Sequence, residues 1–195
     1  MILYGATLSP YVRKAAAFLN EKMLNWDHVV IGLGASDPKF LDASPLKKIP
    51  AFTDGDFSLA DSTAICVYLD AAYPEPRLIP DDPKAKGKVF FWDEFADTVF
   101  TAAGGKLFAN RVVKPRFLNE DSDEAAAEEG AAEVLRLLDF LEGEVPDAGA
   151  YLVGDTLTLA DLAVASPFLN IEHAGAAVGD AHPRTKAWVD TIHAR

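Results

Sequence analysis

Residues 2–31 read ILYGATLSPYVRKAAAFLNEKMLNWDHVVI, and this stretch decides the first half of the fold. Ile2, Leu3 and Tyr4 form a short apolar strand. From Pro10 onward, Val12, Ala16, Leu19 and Met23 recur at helical spacing, which predicts a helix ending near Lys22. Residues 28–31, His-Val-Val-Ile, form a run rich in β-branched side chains and predict a second strand. Two strands joined through one helix form a βαβ unit, so the strands are expected to be parallel with a right-handed crossover.

Working outward, residues 32–48 are rich in Gly, Ser, Asp and Pro and read as a loop. Ala51, Phe52 and Thr53, then Asp54, Gly55 and Asp56, then Phe57, Ser58 and Leu59 read as strand, turn, strand; Asp-Gly between apolar runs is a hairpin signal. A helix is expected from Ser62 to about Tyr73, stopped by Pro74 and Pro76. Residues 74–83 hold Pro74, Pro76, Pro80 and Pro83 with few apolar side chains, the composition of a linker. Beyond it strand signals fade. Helical patterns cover residues 84–113, with Phe90, Phe91, Trp92, Phe95, Phe100 and Phe108 and an expected kink at Gly104 and Gly105. Others cover residues 123–143, with Val134, Leu137, Leu138 and Leu141 on one face, and residues 158–173 and 183–194. The organisation expected is an α/β domain at 1–75, a linker at 76–83 and an all-helical domain at 84–195.

The 195 residues include 18 Lys and Arg against 30 Asp and Glu, a net charge of −12. That balance argues against a nucleic-acid partner, because phosphate binding needs a basic surface. No apolar run reaches membrane-spanning length, so no membrane partner is expected. The single cysteine, Cys66, has no internal partner for a disulfide, which suits a reducing, cytoplasmic setting. His28, His173, His182 and His193 show no metal-ligand spacing, so no metal is expected.

Three short motifs each carry two readings. Ser9 before Pro10 is an ordinary helix start, serine at the N-cap and proline at the first turn. The same geometry places a hydroxyl beside unsatisfied N–H groups and the positive end of a helix dipole, where an anion is favoured. Pro50, after Lys48 and Ile49, either opens an edge strand or is a cis proline that turns the backbone of Ile49 outward, ready to pair with an extended ligand. Asp61 and Ser62 are N-cap candidates, or hold a ligand's ammonium and carboxylate groups.

In this order, with the linker and the helical second half, the motifs resemble the glutathione transferase family, in its serine-type, bacterial-like form. The likeness covers nearly the whole chain. Thr158 and Asp161 resemble that family's buried capping box, a structural feature. The resemblance implies a thioredoxin-like first domain and an all-helical bundle as the second. It implies glutathione as co-substrate, no metal, a small hydrophobic electrophile, a homodimer with Phe90 to Phe95 as a candidate face, and a role in detoxification. Residue by residue, it gives Ser9 the glutathione sulfur as catalytic group. Ile49, with Pro50 cis, would hold the cysteinyl backbone, Asp61 and Ser62 the γ-glutamyl end, and Lys48 the glycyl carboxylate side. Tyr11, Phe100, Gly104, Phe108 and Arg111 are expected to wall an apolar cleft for the electrophile. Tyr4, a possible sulfur ligand in other classes, sits early for that role. Lys47 stands where the family often has glycine. The alternative function is a binding or regulatory module of the same fold without catalysis.

Overall fold

The computed structural model describes residues 1–32, 34–176 and 178–195; Leu33, inside the loop read at 32–48, lies outside the described residues. Contacts divide the chain into two units, Met1–Lys86 and Gly87–Arg195.

The first unit runs β1 (Ile2–Tyr4), α1 (Pro10–Glu21), β2 (Asp27–Val29), α2 (Pro38–Ala43), β3 (Ala51–Asp54), β4 (Phe57–Ala60) and α3 (Ser62–Ala72). The sheet order is β2-β1-β3-β4, with β1 and β2 parallel and the remaining pairs antiparallel. This is the thioredoxin-like arrangement.

Side chains on adjacent strand positions point to opposite faces. Leu3 sits opposite Phe52, and the Phe52 ring lies 6.1 Å from Tyr68 of α3, so this pair faces the helices α1 and α3, which pack together. Tyr4 sits opposite Ala51, and both join Ile31, Phe40 and Ala43 in a cluster under α2. Leu3, Phe18, Leu19, Phe52, Ile65 and Leu69 are fully buried. Each such side chain contributes about 1.5–3 kcal/mol relative to leaving it in water.

Two polar devices set the position of α3. On the hairpin, Asp54 Oδ2 accepts hydrogen bonds from the Tyr68 and Tyr73 hydroxyls at 3.0 and 2.7 Å. The bond to Asp54, with burial, pushes the Tyr73 phenol up to about 12. On the side of α1, the Lys22 ammonium pairs with the Asp70 carboxylate with almost no solvent exposure and donates to Tyr73 O at 2.8 Å. Asp70 also accepts the Leu78 and Ile79 N–H groups at 2.9 and 3.3 Å. One buried carboxylate thus ties α1, α3 and the linker together.

The structure corrects three readings of the first unit. The second strand is Asp27–Val29, not residues 28–31: Val30 turns out to solvent at 70% exposure and Ile31 turns in. The loop at 32–48 contains α2, capped by Asp37 Oδ1 accepting Phe40 N–H at 2.8 Å with Pro38 in the first turn. A second cis peptide, Glu75–Pro76, joins the expected Ile49–Pro50.

The second unit is helical throughout: α4 (Pro83–Glu94, begun in the linker), a π-helical segment Phe95–Phe100, α5 (Thr101–Phe108), a second π-helical segment Ala109–Leu118, α6 (Glu124–Glu144), α7 (Leu159–Ala165), α8 (Phe168–His173) and α9 (Pro183–His193). The helical pattern expected to run over residues 158–173 breaks at Ser166 and Pro167. Gly104 and Gly105 do not interrupt α5; the hydrogen-bond pattern widens on either side of them instead. Gly104 is small for packing reasons, since a Cβ there would stand 2.9 Å from Ile171 Cγ2.

Gly130 of α6 is tighter still: a Cβ would meet Leu107 N at 2.8 Å and Ala103 O at 3.0 Å, both backbone atoms of α5. Backbone cannot step aside as a side-chain tip can. Gly130→Ala is therefore expected to destabilise the protein by about 1–2 kcal/mol, although alanine is the better helix former. A denaturant midpoint equal to or above that of the parent contradicts this.

Asp161, fully buried, accepts Thr158 N–H and Oγ1–H at 2.8 and 3.0 Å and reaches Leu152 N–H at 2.8 Å. Burial pushes its carboxyl above the usual range despite those donors. Glu142 does a similar job across helices, accepting Arg184 N–H, Thr185 N–H and the Thr185 hydroxyl at 2.9, 2.8 and 2.8 Å at the start of α9. Partial burial alone would raise its carboxyl, but the backbone donors, the hydroxyl and the charge of His182 outweigh it and hold it low. A depressed folded-state value stabilises the protein above the ordinary glutamate value near 4.5. That stability is lost as pH falls through the lower folded value. Glu142→Gln is expected to lower the unfolding midpoint at neutral pH and to flatten its fall below about pH 5. A variant whose acid limb is as steep as the parent's contradicts the assignment.

Candidate active site

Strand register brings the three sequence motifs to one end of the sheet. Tyr4 at the end of β1 pairs with Ala51 at the start of β3, and Ala51 pairs with Ala60 at the end of β4. The chain leaves β1 toward Ser9, enters β3 from Ile49 and Pro50, and leaves β4 into Asp61 and Ser62. The three segments must therefore emerge together. Gly5 shows how closely: its φ is +151°, and a Cβ there would lie 2.5 Å from Val12 Cγ2 and 3.2 Å from Ile49 Cβ.

The loop that carries Ser9 is held by backbone bonds. Gly5 N–H donates to Val29 O at 3.0 Å, His28 Nε2 donates to Gly5 O at 2.7 Å, Ser9 N–H donates to Ala6 O at 2.9 Å and Arg13 donates to Thr7 O at 2.6 Å. Ser9 occupies the N-cap position of α1, φ −78° and ψ 126°, and its carbonyl accepts Arg13 N–H at 3.1 Å. Its side chain, however, makes no capping bond, and among the described residues the hydroxyl has no hydrogen-bond partner. The cap position is filled while its customary bond is left unmade. A half-buried hydroxyl thus stands free at the positive end of a 12-residue helix.

Asp61 has φ 88° and ψ 127°. A non-glycine residue there stores strain of about 1–3 kcal/mol, and such outliers cluster at ligand sites. Asp61 Oδ1 caps α3 through Ala64 N–H at 3.0 Å. Ser62, 3% exposed at the first position of α3, makes no side-chain hydrogen bond among the described residues. Two helix N-termini, each with a serine hydroxyl that has no hydrogen-bond partner among the described residues, therefore emerge at the same end of the sheet as Ile49. Ile49–Pro50 is cis, Pro50 is buried and Lys48 is exposed.

The remaining expected site residues fall differently. Tyr11 lies half-buried in the first turn of α1. Tyr4 is 2% exposed with its ring 6.4 Å from Phe40, a core position. Phe100 and Phe108, expected on a pocket wall, are core: Phe100 is fully buried with its ring 5.0 Å from Phe168, and Phe108 packs with Leu107, Val112, Ala127 and Ala174. Gly104 faces Ile171, and Arg111 is engaged by Glu124 and the Ala174 carbonyl. Their burial and pairing serve the helical unit itself. Among the described residues, no group of three or more His, Cys, Asp or Glu is placed to hold a metal ion, and no helix is long and apolar enough to cross a membrane.

Comparison with known proteins agrees with this geometry. The family models for the glutathione S-transferase N-terminal and C-terminal domains match residues 3–77 and 91–195. A glutathione S-transferase of Hyoscyamus muticus is 34% identical over 202 residues, covering 100% of this chain and 94% of its own. Glutathione S-transferase 3 of Zea mays is 34% identical over 200 residues, covering 99% and 89%. Among solved structures, a glutathione S-transferase of Rhodospirillum rubrum superposes with a TM-score of 0.90 at 27% identity, covering 100% of this chain and 88% of that one. A glutathione S-transferase I bound to lactoylglutathione gives 0.87 at 29%, covering 100% and 94%. The chain belongs to the glutathione S-transferase family.

Proposed function

We propose that this protein is a glutathione transferase and that Ser9 activates the co-substrate's sulfur. The observation that carries the reading is the free Ser9 hydroxyl at the start of α1, at the same end of the sheet as Ile49 and the Asp61–Ser62 turn. Glutathione supplies a partner for each. Its cysteinyl backbone pairs with Ile49 as a short added strand. Its γ-glutamyl ammonium meets Asp61, and the neighbouring carboxylate meets Ser62 and the N-terminus of α3.

Serine is not a base near neutral pH. Its O–H donates to the thiolate, the α1 dipole adds to that, and the thiol proton passes to solvent. The sulfur lone pair then forms the bond to the electrophilic carbon, and the leaving group departs with its electron pair. The electrophile is a small hydrophobic one, with Tyr11 beside the sulfur.

The same proposal includes a homodimer in the cytoplasm with a role in detoxification. Phe91 and Phe140, 55% and 40% exposed, offer apolar surface for self-association, and the buried lone Cys66 suits a reducing compartment. Retention on immobilised glutathione, elution by free glutathione and conjugation of an activated aryl halide test the reading. Retention without turnover of any electrophile would assign a binding module instead. Light scattering at micromolar concentration that returns a monomer's mass would remove the dimer.

A further inference from the structure

We infer that Arg13 is a positioning residue for the reaction: its side chain clamps the turn before Ser9, and that clamp aims the Ser9 hydroxyl at the reacting sulfur. The inference rests on the glutathione reading above. An N-cap serine is ordinarily oriented by its own bond to an N–H two or three residues on. Ser9 makes no such bond, so its hydroxyl is not held by the helix it starts. Packing does not hold the turn before it either, since Thr7 and Leu8 are exposed.

Arg13 supplies what is missing. Its backbone N–H donates to Ser9 O at 3.1 Å, and its Nη1–H donates to Thr7 O at 2.6 Å. One residue of α1 thus grips the chain at Ser9 and again two residues upstream, while Ser9 N–H closes the turn on Ala6 O at 2.9 Å. The guanidinium is half-buried, and burial brings it down to about 10. It stays charged at neutral pH, and a charged donor makes the stronger kind of hydrogen bond. A catalytic group has to be held within about 0.5 Å of its productive place, so slack in this turn is felt in thiolate stabilisation.

The test compares Arg13→Met, which keeps an unbranched apolar stem and loses the donor, with Arg13→Lys, which keeps a charged donor. The thiolate band of bound glutathione is followed against pH in each, alone and combined with Ser9→Ala. Arg13→Met is expected to raise the apparent midpoint by about half a unit to one unit, and Arg13→Lys to recover most of that rise. S-methylglutathione, which has no thiol to ionise, should bind the parent and Arg13→Met within about two-fold of each other. In the Ser9→Ala background, Arg13→Met should leave the midpoint where Ser9→Ala alone puts it, because the hydroxyl it aims is gone. A parent-like midpoint in Arg13→Met overturns the inference. So does a rise of equal size with and without the Ser9 hydroxyl, which would mean that the guanidinium acts on the sulfur through its charge alone. A matching loss of S-methylglutathione binding would signal a general disturbance of the loop and also overturns it. A parent protein with no saturable thiolate band overturns the glutathione reading and this inference with it.

Discussion

Ser9→Ala should lower turnover at pH 7 by roughly 10- to 100-fold while leaving glutathione affinity within about three-fold, and the deficit should close as pH rises past the free thiol's value. A free cysteine thiol titrates near 8.5, so only a few per cent is thiolate at pH 7. Bringing that value down by about two units requires about 2.7 kcal/mol of additional thiolate stabilisation. A hydrogen bond to a charged acceptor contributes about 1.5–3 kcal/mol, and a helix terminus about 0.3–1. The hydroxyl is thus the larger share, and removing it returns the sulfur most of the way to 8.5. The fold should tolerate the change, because the Ser9 side chain makes no capping bond and the loop is held through the backbone. Affinity should be spared, because the proposed binding mode holds the tripeptide by its ends and its backbone. A deficit that stays constant to high pH would indicate that Ser9 positions the substrate rather than tuning its sulfur.

The largest stability effect is expected at Asp70. Asp70→Ala leaves the Lys22 ammonium without its carboxylate in a site where neither side chain meets much solvent, and it strands the Leu78 and Ile79 N–H groups. Removing one partner of a buried ion pair costs about 3–5 kcal/mol. For a chain of this size that lowers the unfolding midpoint by roughly 10 °C. Lys22→Met should cost less, since Asp70 keeps its two backbone donors and methionine fills the space over Phe18. Combining the two substitutions should cost less than the sum of the singles, because no unpaired charge is then buried. Strictly additive losses would show that the pair does not act as a unit.

Much of the fold was written in local pattern. The βαβ start, the Asp-Gly hairpin and the long helices each had a period or a turn dipeptide to announce them. The motifs that converge at the site were visible too, because helix starts and a proline at the mouth of a strand have chemical signatures. What was hidden has a common cause. Helix α2, six residues long, is too short to show a period, and only Asp37 and Pro38 marked its start. Positive φ at Lys47 and Asp61 is imposed by tertiary surroundings on side chains that do not prefer it. Lys22 and Asp70 looked like ordinary helix charges, and only the packing of α1 on α3 makes them a buried pair. The aromatic residues of the second half show the limit from the other side: Phe100 and Phe108 recur at helical spacing and are buried in the helical unit, and spacing alone does not tell a core from a pocket wall.

The central claim is that this site turns the thiol of bound glutathione into a thiolate near neutral pH. Ultraviolet difference titration of glutathione into the protein, repeated from about pH 5 to pH 9, reads that species directly through its thiolate absorption. The account predicts a saturable band already present at pH 7, with an apparent midpoint about two units below 8.5. A band that grows in only as free glutathione itself ionises, despite saturable binding, would contradict it.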